Sequence, residues 1–403
     1  MLPLNMFPPE ARLVRWVAAA TIGCAVVLLA VNFVGQRDGL TSFGPQLGAD
    51  YPAFYTAGHL LNTAPSRLYD LTLQDQLFHR WIPGAPADQL LFYPSAPFLA
   101  VLFRPLALLP YAWSYGVWLV IGVGLTLAGF QWLKRSTPEL ADDWPTVVLA
   151  GCSFAPLLVE GWIGGQTSAL VLFCVSLAIW LQHQGRSRWA GAAMAALAFK
   201  PTLLLLFAPM LLATRAWRVL QGMVLGGLVF AGVSVWAVGI EGFWRFLEFL
   251  AKYAEVRQRA PESLHPWKYV DLRSAAYPIF YHPAGWAVAL MVVLVLAAAV
   301  LLWRTWRRST DWRLTWATAL VWTPVLSPHF AVYDTVLLIP AAVLLTPSCR
   351  QSPWFFRGLT VLYVVAWFSQ PVAAAVGVQC LSVAVAWFGW RCCTEGELSV
   401  GRS

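Results

Sequence analysis

One acid stands alone in the stretch GADYPAFYTAGHLL, residues 48–61: Asp50, followed closely by Tyr51, Phe54 and Tyr55. The chain around it is 59% hydrophobic and 11% charged, so an ionisable side chain among apolar runs needs a physical reason to be there. Three other stretches raise the same question. Glu160 opens EGWIGGQTS, which also carries Gln166; Lys200 precedes Pro201 inside an apolar stretch; SPHFAVYD, residues 327–334, holds His329 and Asp334. Together these residue types suit transfer of a group from a lipid-linked phosphate to an acceptor hydroxyl. Such a hydroxyl needs a general base within hydrogen-bond reach, a role open to Asp50. The departing phosphate needs cations aimed at its developing charge, a role open to Lys200 and His329. Tyr55, Tyr93 and Gln166 supply groups that hydrogen-bond to a sugar or stack on it.

Each residue also has a purely structural reading. An acid at the start of a helix can cap it. A lysine at a helix end can snorkel to the interface. His329 can be a packed core histidine, and Asp334 can pair with Lys200 or His329 as a structural ion pair. Arg104, in LFRPLALLP, reads as an interfacial anchor.

The elements that must position these groups are apolar. A bilayer-spanning helix needs about 20 residues, fewer where two short helices meet inside a bundle. Twelve apolar runs fit: 13–33, 106–133, 145–160, 166–184, 189–199, 201–214, 217–240, 280–303, 313–326, 330–347, 357–371 and 373–390. The expected fold is an all-α polytopic membrane protein, a single integral domain over 1–403. With the N-terminus inside, most of the 27 basic residues fall in short inner segments, the regime where Lys/Arg bias sets orientation. Two long segments, 34–105 and 241–279, become extracytoplasmic loops with aromatic-rich interfacial helices. Lys200 and Pro201 split 189–214 into a hairpin, because proline removes a backbone donor and restricts its predecessor. On this topology Asp50, Glu160, Lys200 and His329 converge toward the outer side.

The net charge of +8 is then a topology signal and gives no reason to invoke nucleic acid. The first run follows Arg12 and Arg15, exceeds a signal-peptide core and lacks an A-x-A site, so it reads as an uncleaved span. The seven cysteines are scattered, with none in an outer loop, so no disulfide framework is expected. Neither zinc-ligand spacing, nor a P-loop, nor a G-x-G-x-x-G opening a helix occurs; no metal or other cofactor is expected.

Several segments, in order along nearly the whole chain, resemble glycosyltransferase family 87, whose known members include polyprenol-phosphate-mannose-dependent α-mannosyltransferases. They are ADYPAFYTAGHLL with RLYD, LLFYPSAPFLAVLFRPLALLPY, GQTSALVL, WAGAAMAALAFKPTLLLL and VLSPHFAVYDTVLLIPA. The resemblance implies a type C glycosyltransferase-like fold, an extracytoplasmic site on the cytoplasmic membrane and a polyprenyl-phosphate-linked sugar donor. It implies an acceptor hydroxyl on an envelope glycolipid or glycan, with a hexose transferred and mannose favoured. It assigns the base to Asp50 and makes Tyr55, Tyr93, Gln166, Lys200, His329 and Asp334 neighbours in one cavity, with Glu160 on the same side. Two positions depart from the family pattern: Ser95 replaces the second proline of Tyr-Pro-Pro, and Ser168 replaces an asparagine after Gly-Gln. A transporter or flippase for a lipid-linked sugar is the competing expectation; it would show two halves with repeated hydropathy, and no convincing repeat is visible.

Overall fold

The computed structural model describes residues 9–89, 91–259, 265–280, 284–349 and 351–400. Helix α1 (Pro9–Val34) is followed by a compact segment built from α2 (Tyr51–Thr63), α3 (Leu71–Trp81) and the short α4 (Pro97–Ala100). Then come α5 (Tyr111–Ser136), α6 (Trp144–Cys152), a wide π-helical turn at Pro156–Ile163, α7 (Ser168–His183), α8 (Ser187–Ala195) and α9 (Phe207–Ala213). Helix α10 (Trp217–Arg259) is broken at Gly239, and the short α11 (Leu272–Ala275) and α12 (Tyr277–Phe280) follow. Helices α13 (Gly285–Arg308), α14 (Trp312–Leu326), α15 (Leu338–Cys349), α16 (Pro353–Val376) and α17 (Cys380–Val400) complete the chain.

The protein is an all-α, multi-pass membrane protein. Among the described residues, six helical segments are long and apolar enough to cross a bilayer: Arg12–Val34, Tyr111–Ser136, Trp217–Tyr253, Gly285–Arg308, Val332–Cys349 and Pro353–Val376. A seventh, Pro138–Cys152 with Pro156–Ile163, is bent by 57°. Other apolar runs of the sequence become shorter, buried helices, which is tolerable where protein rather than lipid surrounds the break. Run 189–214 divides into α8 and α9 around Lys200, as Pro201 demands. Near the C-terminus the expected break at residue 372 is absent. Pro371 is accommodated within α16, and the chain turns instead at Gly377, which packs against Pro278.

Helix α2 differs from a helix lying along the interface: ten of its 13 residues are buried, so it is an interior element. Its cover includes α3, whose first turn is capped by Asp70 accepting from the Leu73 amide at 3.1 Å. Asp70 also accepts from Arg67 at 2.7 Å, and that hydrogen bond holds its carboxyl below the usual range.

Contacts between helix ends define two poles. At one, Arg15 donates to Thr146, Arg313 to Glu139 and the Ser136 carbonyl, and Arg307 to the Ala213 carbonyl. Lys134 and Arg135 end α5 there, and Arg307 and Arg308 end α13, where cations favour the helix dipole. The opposite pole, about 35 Å away at 1.5 Å per helical residue, is tied by Tyr111 donating to the Leu47 carbonyl, Val270 to Phe330 and Gln379 to Trp267.

Helices α8 and α10 cross with backbones nearly touching. A Cβ on Gly191 would lie 1.9 Å from the Val219 carbonyl oxygen, and one on Gly222 would lie 1.8 Å from that of Arg188. Small residues at such crossings let packing replace the hydrophobic effect that lipid cannot supply between helices. Gly222→Ala should therefore destabilise the solubilised protein by about 1–3 kcal/mol in thermal unfolding, the cost typical of overpacking. Gly227→Ala, in open space on the same helix, is the control; equal midpoints for the two variants would contradict the crossing.

Candidate active site

The turn before α2 delivers Asp50 to the polar pole. Gly48 and Ala49 adopt positive φ (72° and 37°), and Asp50 occupies the N-cap position of α2 without capping it. Its backbone N–H donates instead to the Gly164 carbonyl at 3.0 Å, and its carboxylate Oδ2 accepts from Gln166 Nε2 at 2.5 Å. The half-buried acid is thus held by a second break, between the π-helical turn and α7. That junction requires glycine at 165. Its φ is 68°, and a Cβ would lie 2.7 Å from the Cβ of Tyr51 and 3.0 Å from the Gly48 carbonyl oxygen. Behind Asp50, Tyr51 shares a 2.5 Å hydrogen bond with Ser114, and burial pushes its phenol up, keeping it neutral.

A third break carries the cation. Lys200, between α8 and α9, donates to both carboxylate oxygens of Asp334 at 3.0 and 3.3 Å, and the two side chains are only 14% and 5% exposed. Its ammonium also sits 4.2 Å from the centroid of the Tyr333 ring. Tyr333 links the two halves of the site, its ring under the Lys200 ammonium and its backbone tied to the segment that follows Gln166. Its carbonyl accepts from Ser168 Oγ at 3.0 Å, which ties this segment to the start of α7.

His329 has a positive φ of 54° in the turn between α14 and the Val332–Leu337 helical segment. Its ring meets Tyr269 edge-on at 6.0 Å, beside the Val270–Phe330 backbone hydrogen bond of 2.7 Å. Glu160 accepts from Gln370 at 2.7 Å, and the charges of Asp50 and Lys268 both act on it. One pole thus gathers Asp50, Gln166, Glu160, Lys200, Asp334 and His329.

Tyr55 and Tyr93 stand apart from that group. Tyr55 gives its hydroxyl to the Leu109 carbonyl at 2.8 Å and packs edge-on against Trp81 and Tyr111. Tyr93 gives its hydroxyl to the Ala96 carbonyl at 2.8 Å and is fully buried against Phe54 and Tyr69. Both hydroxyls serve backbone carbonyls, so these two tyrosines shape the wall of α2. Three residues that the sequence reading did not single out join the site: Tyr333, Lys268 and Gln370. Gln370 had a signal, a polar residue immediately before a proline inside an apolar run. Lys268 and Tyr333 had none beyond their neighbours. Among the described residues, no three His, Cys, Asp or Glu side chains gather as metal ligands.

The sequence profile of glycosyltransferase family 87 matches residues 92–328, which include Tyr93, Glu160, Gln166 and Lys200. A polyprenol-phosphate-mannose-dependent alpha-(1-2)-phosphatidylinositol pentamannoside mannosyltransferase of Mycobacterium tuberculosis (strain CDC 1551 / Oshkosh) is 25% identical over 387 residues, covering 92% of this chain and 85% of that protein. No solved structure matches the chain.

Removing one partner of a buried ion pair typically costs 3–5 kcal/mol, because the other charge is left unpaired, whereas an apolar replacement of both is often tolerated. Lys200→Met and Asp334→Leu should each lower stability by about 3–5 kcal/mol in detergent, and the double variant should regain much of the loss. Additive losses in that cycle would contradict the pairing.

Proposed function

The chain belongs to glycosyltransferase family 87 and is a membrane glycosyltransferase; from that premise we propose which groups carry the transfer, between which substrates and on which side. The donor is a polyprenyl-phosphate-linked hexose, with mannose favoured by the relative's own donor. The acceptor is a hydroxyl of an envelope glycolipid or glycan. The architecture is type C-like, with residues 34–105 and 241–279 on the extracytoplasmic side. Asp50 and its neighbours face outward from the cytoplasmic membrane, and the cation-rich pole faces inward, in keeping with the Lys/Arg bias of inner segments.

The observation that carries the assignment is the state of Asp50. A carboxylate at a helix N-cap ordinarily accepts from the first-turn amides; this one is turned away to Gln166 and remains half-buried at the polar pole. In the reaction, the acceptor oxygen attacks the anomeric carbon as its proton passes to Asp50. The bond from that carbon to the phosphate oxygen breaks, with inversion, and its electron pair leaves on the polyprenyl phosphate. On this reading Lys200 and His329 supply the cation and the donor for that growing negative charge. Asp334 holds the Lys200 ammonium in place until the phosphate arrives. Glu160 and Gln370, joined to one another, and Gln166 beside the base offer the hydrogen bonds that orient sugar hydroxyls.

The test uses purified protein in lipid, a radiolabelled polyprenyl-phosphate mannose and a membrane glycolipid extract. Asp50→Asn should bind donor as the wild type does and transfer about 10²- to 10⁴-fold more slowly, the usual contribution of a positioned general base. Gln166→Ala, which frees the carboxylate to drift, should lose about 10- to 100-fold. Transfer by Asp50→Asn at the wild-type rate would place the base elsewhere.

A further inference from the structure

A second chemically distinct site lies at the cation-rich pole, away from Asp50. A groove of about 480 Å³ opens between the first turns of α16 and the later turns of α17, lined by Ser352, Pro353, Trp354, Arg357, Trp387 and Arg391. Its pole follows from α16 itself: the far end of that helix, near Gly377 and Gln379, packs on Pro278 and on the Trp267 carbonyl, which belong to the catalytic pole. Twenty-four helical residues separate the two, about 36 Å. Among the described residues that line it none is acidic, and the two charged ones are guanidinium groups.

The two arginines are placed alike. Arg357 heads a stripe on α16 formed by Val361, Val364 and Phe368, exposed by 45%, 47% and 60%, at successive spacings of four, three and four residues. Arg391 heads the matching stripe on α17, Trp387 and Val383, exposed by 39% and 55% at spacings of four. Residues so spaced share a helix face. Both faces are apolar, uncovered by protein and belong to helices of a membrane protein, so acyl chains cover them. Arg391 is steadied by its guanidinium lying 5.2 Å from the centroid of the Trp354 ring. Indoles favour the headgroup level of a bilayer, and guanidinium forks match phosphate oxygens.

We propose that this groove is a binding site for an anionic phospholipid of the leaflet opposite the catalytic pole. Its phosphodiester headgroup lies between Arg357 and Arg391, and its acyl chains run along the Val361–Val364–Phe368 and Val383–Trp387 stripes. The apolar stripes select a lipid over free phosphate, since a soluble ion gains nothing from them. The paired positive charges select an anionic headgroup over a zwitterionic one, whose choline would meet the same arginines. The site depends only on the membrane location of α16 and α17 and is independent of the role given to Asp50.

The experiment is native mass spectrometry of the full-length protein equilibrated in detergent with equal amounts of phosphatidylglycerol and phosphatidylcholine. Wild type should retain phosphatidylglycerol preferentially. With each basic residue near a charged headgroup worth about 1 kcal/mol, the Arg357→Ala/Arg391→Ala pair should bind it about 10- to 30-fold more weakly. The Arg357→Lys/Arg391→Lys pair, which keeps the charge, should stay within about threefold of wild type. Arg357→Ala alone changes an exposed side chain, so it keeps the test valid if the double variant fails to fold; it should weaken binding by about three- to tenfold. A control pair, Arg12→Ala/Arg304→Ala, removes the same charge from the same pole outside the groove and should change little. Unchanged phosphatidylglycerol retention in both Arg357→Ala and the alanine pair overturns the proposal. So does an equal loss in the control pair, which would mean diffuse charge, and so does displacement of the lipid by millimolar inorganic phosphate, which would mean a site for the free ion.

Discussion

An apolar bundle can be interrupted only where every freed backbone group and every buried charge finds a partner inside the protein, because hydrocarbon offers none. The pole that carries Asp50 is built from such interruptions, and their partners can be traced. The Gly164 carbonyl takes the Asp50 amide, the Ile163 carbonyl takes the Tyr115 hydroxyl at 2.8 Å, and the Gly165 carbonyl takes the Trp118 indole at 3.0 Å. Ser327 closes the Thr202 carbonyl at 2.8 Å, and Ser168 closes that of Tyr333. Two of the donors come from one continuous helix, α5, whose aromatic face runs behind both the Asp50 turn and the Gly165 turn. The aromatic richness near these turns thus has a backbone purpose: long, stiff side chains with a polar tip reach carbonyls that no regular helix can satisfy.

The same constraint explains why the cation of the site arrives with its own anion. Lys200 and Asp334 are both largely buried, and a charge taken out of water at that depth needs a partner of opposite sign. Their pairing does little for net stability against an apolar alternative; what it provides is an ammonium held at depth, beside the Tyr333 ring. Asp50 is treated in the opposite way. Among the described residues its carboxylate meets no cation at hydrogen-bond distance, only the amide of Gln166, which orients it. An acid and a cation are thus held at the same pole by two different kinds of partner.

The polar residues of this pole are legible in the sequence to the extent that rarity makes them so. Asp50, Glu160, Lys200 and His329 are conspicuous because they interrupt apolar runs, and the turn chemistry around them, Pro201 above all, announces the breaks that gather them. Asp334 is legible as an ion-pair partner of Lys200 or His329, and the fold decides for Lys200. The hydroxyl partners of Tyr55 and Tyr93 are not legible, because a tyrosine written among aromatics looks the same whether its oxygen faces a cavity or a neighbouring carbonyl; only tertiary placement against Leu109 and Ala96 decides. Lys268 is hidden for a different reason. It belongs to a mixed-charge segment where a lysine is unremarkable, and it reaches Glu160 only through the fold. Helix ends are legible where a proline lacks alternatives, as at Pro201, and misleading where a helix accommodates one, as at Pro371.

Charge is spread between the two poles in a way that separates their tasks. At the Asp50 pole the charges of Asp50, Lys200 and Asp334 are few and individually partnered, so each acts at short range, where geometry decides what it can do. At the other pole the arginines are numerous and mostly exposed, and screening limits each of them to the headgroup layer within about 10 Å. The first arrangement suits bond making and breaking, which needs a charge at a fixed atom. The second suits attachment to a surface of opposite sign, which needs only a charge at a fixed depth. Arg357 and Arg391 are the exception within the second set, since the indole of Trp354 and the groove between α16 and α17 give two surface charges a defined position. A guanidinium pair that is both at headgroup depth and held in place can discriminate among lipids, whereas the freely exposed arginines around it can only attract them.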